Sequence, residues 1–189
     1  PRSAMSTAAV AVVRRADSCC NATCTKPSRR TILAPSRPPV AFTGQGKPMS
    51  TYKAGCMCGA VQLEITGDPA VQAFCHCSSC RGWLSAPIHA AALWPATSIK
   101  VTKGADNLGL YKRTENSHRK FCKSCGAAVL VDHPGMGMVD VPAGSVVGLN
   151  YKPAVHVHYG EKVMAVKDGL PKFKDFPKEF GGSGDMLAE

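Results

Sequence analysis

Seven of the ten cysteines in this chain fall into three short clusters: Cys56-Met57-Cys58, Cys75-His76-Cys77-Ser78-Ser79-Cys80 and Cys122-Lys123-Ser124-Cys125. Thiols so closely spaced are too near for an unstrained disulfide with one another, but they suit two edges of a metal's tetrahedron. Two clusters are pairs and the middle one is a triplet. Gly59 follows Cys58 and Gly126 follows Cys125, as expected of turns that must aim backbone amides at sulfur. This shared Cys-Gly ending joins Cys56, Cys58, Cys122 and Cys125 in one closed site. Cys75, Cys77 and Cys80 are left to hold a second metal through three thiolates, with a fourth position free. Structural zinc sites are four-coordinate and closed, whereas catalytic ones keep a position for water or substrate. The spacing therefore points to two zinc ions, one that holds the fold and one placed for chemistry.

Zinc held by three thiolates suits binding another thiol. A thiol entering the free position loses its proton, and the thiolate is the nucleophile. A small aldehyde beside it would be attacked at carbon, and the developing alkoxide would need a donor within hydrogen-bond reach. Arg81, directly after Cys80, and the backbone amides around Ser78-Ser79 are the nearest candidates in the chain. A second route has zinc polarise a carbonyl or imine and activate water. A competing reading closes the triplet with a fourth protein ligand from among His76, His89, His118, His133, His156 and His158. Strand alternation would point His76 away from the sulfurs, while the spacing of two would put His156 and His158 on one strand face.

The elements that must position these residues read as strands. Ala60 to Thr66 alternates apolar and polar residues before the turn at Gly67-Asp68-Pro69. Val71 to Phe74, Ile88 to Trp94, Ser98 to Thr102, Gly109 to Arg113, Arg119 to Phe121, Ala127 to Val131 and Met138 to Val141 follow as short strands. Helix is confined to short turns after Ser78-Ser79 and at Pro142-Ala143-Gly144. The fold class is all-β, with little buried area per strand, so metal must supply part of the folding free energy, on the order of 10 kcal/mol in small zinc domains. The tail from Asp168 to Pro177 is expected to be extended, packing Leu170, Phe173 and Phe176 on the domain.

The formal net charge of +10 is unevenly spread. Residues 1–48 hold eight Lys or Arg against the single acid Asp17, a net +7, and the rest of the chain holds fifteen against twelve, a net +3. Metal-bound thiolates would take about −2 from a four-thiolate zinc site and about −1 from a three-thiolate one. The metallated domain is then near neutral, which argues against a nucleic-acid surface on it. Residues 1–48 are rich in Ala, Ser, Pro and Arg, and are expected to form a disordered basic extension ahead of a domain at residues 49–189. An added or mis-assigned start before Met49 is the favoured account; a targeting segment and a nucleic-acid-binding arm are the alternatives. Cys19, Cys20 and Cys24 lie there with no partner cluster and read as incidental. No stretch is long and apolar enough to span a bilayer. Unpaired metal-type cysteines suit a reducing compartment, most simply the cytoplasm.

The order Cys-x-Cys-Gly, Cys-x-Cys-x-x-Cys-Arg, Phe-Cys-x-x-Cys-Gly and Asp-Gly-Leu-Pro-x-Phe, running from about Gly55 to Phe173, resembles the glutathione-dependent formaldehyde-activating enzyme family, which also includes centromere protein V. The resemblance implies a β-tent fold of mainly antiparallel strands and two zinc ions per chain. Cys56, Cys58, Cys122 and Cys125 would form the structural site, and Cys75, Cys77 and Cys80 the catalytic one. It further implies a carbon–sulfur lyase whose partners are a small-molecule thiol, glutathione, and a small aldehyde, formaldehyde, joined as S-(hydroxymethyl)glutathione. Two positions depart from the pattern: Val163 stands where many members carry an aromatic residue, and His156 to Lys162 is a variant of the family's His-containing strand. Both lie where a pocket wall is expected. The alternative function is a non-catalytic two-zinc module that binds nucleic acid or protein.

Overall fold

The computed structural model describes residues 49–189. The expectations for residues 1–48, including Cys19, Cys20 and Cys24, lie outside the described residues. Ten strands and one short α-helix make up the regular structure described: β1 (Thr51–Gly55), β2 (Gln62–Thr66), β3 (Val71–Cys75), α1 (Ser78–Leu84), β4 (His89–Pro95), β5 (Ile99–Lys103), β6 (Leu108–Thr114), β7 (Ser117–Cys122), β8 (Ala128–His133), β9 (Met138–Pro142) and β10 (Val155–Val157), with several single 3-10 turns. The fold is all-β, as the residue pattern implied, and mainly antiparallel, as the family resemblance implied.

The strands form two sheets. One has the order β1-β2-β5, and the other β10-β3-β4-β9-β8-β7-β6. Every pairing is antiparallel except that of β10 with β3. In β2 the alternation works as read: Leu63 and Ile65 are buried while Gln62 and Glu64 face out. Those two side chains meet Ala92 and Trp94 of β4, Val129 and Leu130 of β8, and Val139 and Val141 of β9 in one core. Cys56 and Cys122 belong to the same cluster. Half of the four-cysteine group is thus built into the core, with Cys125 packed against it and Cys58 exposed. Each large side chain buried there contributes roughly 1.5–3 kcal/mol. Trp94 is wholly buried, and its indole N–H donates to the carbonyl of Gly67 at 2.9 Å, so its polar atom costs little.

The tail corrects one expectation. Leu170 and Phe173 are only half buried and Phe176 is exposed, but Lys172 between them is 1% exposed. Its ammonium donates to Asp168 Oδ1 at 2.8 Å, Glu189 Oε1 at 2.7 Å and the Leu170 carbonyl at 3.0 Å. A buried ammonium is tolerable when all three donors are used in this way. The segment therefore docks through a saturated cation as well as through its apolar side chains. A backbone pairing of Phe173 N–H with the His156 carbonyl, at 2.9 Å, adds to it.

Candidate metal centres and adjoining cavity

The first centre grows out of two turns of one design. Cys56 follows β1, and Cys122 ends β7. The Cys56 N–H donates to the carbonyl of Val61 at 3.1 Å, and the Cys122 N–H to that of Ala127 at 2.9 Å. Each turn closes on a glycine with positive φ, Gly59 at 72° and Gly126 at 73°, a conformation that a side chain would strain. The glycines read from the sequence thus have a backbone reason. The turns bring the sulfurs of Cys56, Cys58, Cys122 and Cys125 within 4.8 Å of one another. Cys56 and Cys58 sulfurs are 3.5 Å apart, and those of Cys58 and Cys122 are 3.8 Å apart. A tetrahedral ion with metal–sulfur bonds of about 2.3 Å would hold its sulfurs about 3.8 Å apart, so the donor set fits such an ion. Amides already address the sulfurs: Val61 N–H donates to Cys56 Sγ at 3.2 Å, and Asn107 Nδ2 to Cys122 Sγ at 3.3 Å. Burial pushes the Cys56 thiol up, but the Val61 N–H and neighbouring thiols outweigh it and bring its pKa down to about 6.

The second centre sits where β3 hands over to α1. Cys75 ends the strand, Cys77 is the helix N-cap, and Cys80 lies in the first turn. The Cys77 sulfur accepts the Cys80 N–H at 3.2 Å, so capping the helix and presenting a thiolate are one act. Hydrogen bonds from Cys75 and then Cys80 hold the Cys77 thiol far below its usual value, to about 2, while the same sharing raises Cys75. The three sulfurs lie within 4.8 Å of one another. Among the described residues, no fourth His, Cys, Asp or Glu ligand atom joins this group.

The histidines take other partners. His76 is fully buried, and its Nε2 meets His156 Nδ1 at 2.8 Å. His156 Nε2 in turn meets Asp168 Oδ2 at 2.9 Å. Burial first, then electrostatic repulsion from the His156 side, pushes the His76 pKa down to about 4. Hydrogen bonds from Lys172, and less so from His156, hold the Asp168 carboxyl well below the ordinary range. The expectation that His156 and His158 share a strand face is corrected. β10 ends at Val157, and His158 has φ 52°, so the chain turns there and His158 is directed to Glu161 and the Phe176 ring.

Three further side chains near the triplet, Asp140, Glu161 and Arg119, went unread in the sequence, and His89, named there as a candidate ligand, takes another partner. His89 lies opposite Cys75 in the β3–β4 register. Its Nε2 meets Asp140 Oδ2 at 2.6 Å, and both residues are buried. Asp140 Oδ1 also accepts the Ala92 N–H at 3.2 Å. An acid between two valines in β9 was the available signal. Glu161 Oε2 accepts the Ser78 N–H at 2.8 Å, at the start of α1. Arg119 is 4% exposed, and its Nη2 donates to Ser79 Oγ at 2.7 Å; nothing in its neighbours along the chain marks it. Arg81, the residue singled out for an alkoxide, is half buried, and its Nε donates to the His76 carbonyl at 2.9 Å. Beside α1 opens a cavity of about 320 Å³ whose lining includes Ser78, Ser79, Trp83, Tyr111, Arg113 and Arg119. Val163 is 60% exposed and lines neither this cavity nor the sulfurs. No helix among the described residues is long and apolar enough to cross a membrane.

Comparison with known proteins fits this arrangement. The profile of the family described as glutathione-dependent formaldehyde-activating enzyme matches residues 51–161. An uncharacterised lyase of Schizosaccharomyces pombe is 31% identical over 81 residues, which cover 43% of this chain and 57% of that protein. A protein of Pyrenophora teres f. teres, provisionally named a glutathione-dependent formaldehyde-activating enzyme, is 28% identical over 113 residues, 55% of this chain and 60% of its own length. The chain thus spans less than two thirds of these curated relatives. A crystal structure of a Rhodobacter sphaeroides protein is 30% identical and aligns with 52% of this chain and 90% of its own, at a TM-score of 0.42. The matched segment holds all seven clustered cysteines, and by that match the chain belongs to the glutathione-dependent formaldehyde-activating enzyme family.

Proposed function

We propose that this protein is a zinc-dependent carbon–sulfur lyase that joins a thiol to a small aldehyde, with glutathione and formaldehyde giving S-(hydroxymethyl)glutathione. The observation that carries the reading is the three-sulfur group at Cys75, Cys77 and Cys80, which has no fourth ligand among the described residues and lies beside a cavity. Its sulfurs suit one zinc ion, and the four-sulfur group a second, two per chain. Zinc bound by the triplet would supply the Lewis acidity that strips the proton from an incoming thiol.

The protein's own residues do the rest. Capping of α1 by Cys77 fixes one sulfur, and the end of β3 fixes another, so the group is held by backbone rather than by free rotamers. The reaction forms one C–S bond. The sulfur lone pair adds to the carbonyl carbon, the carbonyl π pair moves to oxygen, and the proton lost by the thiol returns to that oxygen. Nothing is oxidised or reduced. Arg81 is assigned to the developing alkoxide, since its Nε anchors it to the His76 carbonyl beside the ligands. The seven unpaired thiols among the described residues suit a reducing compartment such as the cytoplasm.

Exchange spectroscopy on glutathione and formaldehyde tests the reading. The zinc-loaded protein should speed interconversion with S-(hydroxymethyl)glutathione, and Cys77→Ser should abolish the acceleration while retaining the fold. Cobalt-substituted protein whose spectrum shows a complete ligand set at both sites, unchanged by glutathione, would leave a two-metal structural module instead.

A further inference from the structure

The cavity beside α1 is lined by donors and cations, and no acid lines it among the described residues. Arg119 is nearly fully buried, yet its Nε and Nη1 have no hydrogen-bond partner. The Trp83 indole N–H is likewise without one. The Trp83 ring lies 5.4 Å from the guanidinium carbon, and Arg113, Tyr111 and Ser78 line the same space. A buried guanidinium with two idle nitrogens is costly, because its hydration is lost and no carboxylate replaces it. The group that best repays this is a carboxylate, whose two oxygens match the planar fork of an arginine.

The position is as informative as the chemistry. Arg119 Nη2 is tied to Ser79 Oγ at 2.7 Å, and Ser79 stands between Cys77 and Cys80. The cavity and the sulfurs of Cys77 and Cys80 therefore share the first turn of α1, with Cys75 at the end of β3 just before it. We infer that the cavity is a carboxylate-binding subsite, with Arg119 and Arg113 receiving a carboxylate of the thiol substrate while its sulfur reaches the cysteine triplet. The subsite selects acidic thiols, of which glutathione is one, over neutral thiols of similar size. This inference rests on the reading that a thiol enters beside Cys75, Cys77 and Cys80. The idle nitrogens are screened from solvent, so entry of a carboxylate should move the flanking Trp83 indole and alter its fluorescence.

S-methylglutathione separates the two ideas, because it keeps both carboxylates and lacks the free thiol. Titration calorimetry on the zinc-loaded full chain should detect its binding, with a change in tryptophan fluorescence. Arg119→Gln should weaken that binding by about tenfold or more, and Arg119→Lys, which keeps the charge but loses the fork, by less. Arg113→Gln, at an exposed position, covers the case in which Arg119→Gln does not fold, and should also weaken it. Glutathione diethyl ester should lose turnover mainly through a raised KM. Arginine-dependent binding of S-methylglutathione without any turnover of glutathione and formaldehyde would uphold the subsite and sink the lyase reading. Turnover indifferent to esterification and to both arginine substitutions would overturn the subsite and leave the lyase reading standing.

Discussion

At Cys56, Cys58, Cys122 and Cys125, two turns 64 residues apart in sequence meet; at Cys75, Cys77 and Cys80, one strand–helix junction supplies every sulfur. The donors are the same but the settings are not. The four-sulfur group is continuous with the apolar core. Near Cys122 its polar neighbours include Asn107, which donates to the Cys122 sulfur and to Ser124 Oγ. The three-sulfur group is flanked by His76–His156–Asp168, by His89–Asp140 and by the arginine-lined cavity. The first joins two segments distant in sequence, so losing it releases long loops of chain. The second joins residues already near neighbours, so it adds little cross-linking.

The sharpest way to break this contrast is to remove one sulfur from each. Cys122→Ser should cost most or all of the folding free energy, because zinc in small domains contributes on the order of 10 kcal/mol. Circular dichroism should show no cooperative thermal transition. Cys77→Ser should remove one equivalent of zinc by elemental analysis and leave a cooperative transition. Similar losses of fold in both variants would erase the proposed division.

The polar surroundings of the triplet give the next effect. Asp140→Ala leaves buried His89 and the Ala92 N–H without an acceptor, and should destabilise the protein by about 3 kcal/mol in denaturant unfolding. His89 faces Cys75, so zinc at the triplet should also be released to a chelator sooner than zinc at the four-sulfur group. Equal release from both groups would place Asp140 in the general scaffold alone.

Arg81→Ala should lower kcat by roughly tenfold to a hundredfold, with thiol affinity nearly unchanged, because an interaction made mainly with the developing alkoxide appears in rate. A rise in KM alone would move Arg81 from the reacting oxygen to substrate binding.

The smallest effect concerns acid. His76 is neutral when buried, with its pKa lowered from 6.5 to about 4. The unfolded chain therefore takes up a proton at this residue between those values while the folded one does not. Stability from this group is complete above about pH 6.5 and falls as pH drops toward about 4. The slope is at most about 1.4 kcal/mol per pH unit. Unfolding titrations of parent and His76→Gln at saturating zinc should differ in slope within that window, and parallel curves would remove His76 from the acid response.

How much of this was legible in the sequence follows from chain separation. Cys56 and Cys58 are two residues apart, Cys77 and Cys80 three, and Gly59 and Gly126 adjoin their cysteines. Short spacings constrain geometry before any fold exists, so the chelating turns, the alternation of β2 and the helix after Ser78-Ser79 could be read directly. Even the joining of the two pairs followed from a repeated local ending. Three relations could not be read this way. Arg119 meets Ser79 across 40 residues, Asp140 meets His89 across 51, and His156 meets His76 across 80. Each depends on which strands lie side by side and in what register. A basic, acidic or imidazole side chain in a strand has no local preference that names its partner. The cysteine-bearing turns were legible in the chain, because covalent spacing places those sulfurs. What surrounds them depends on the packing of distant strands, because burial beside β3 and α1 is what brings Arg119, Asp140 and His76 next to the three sulfurs.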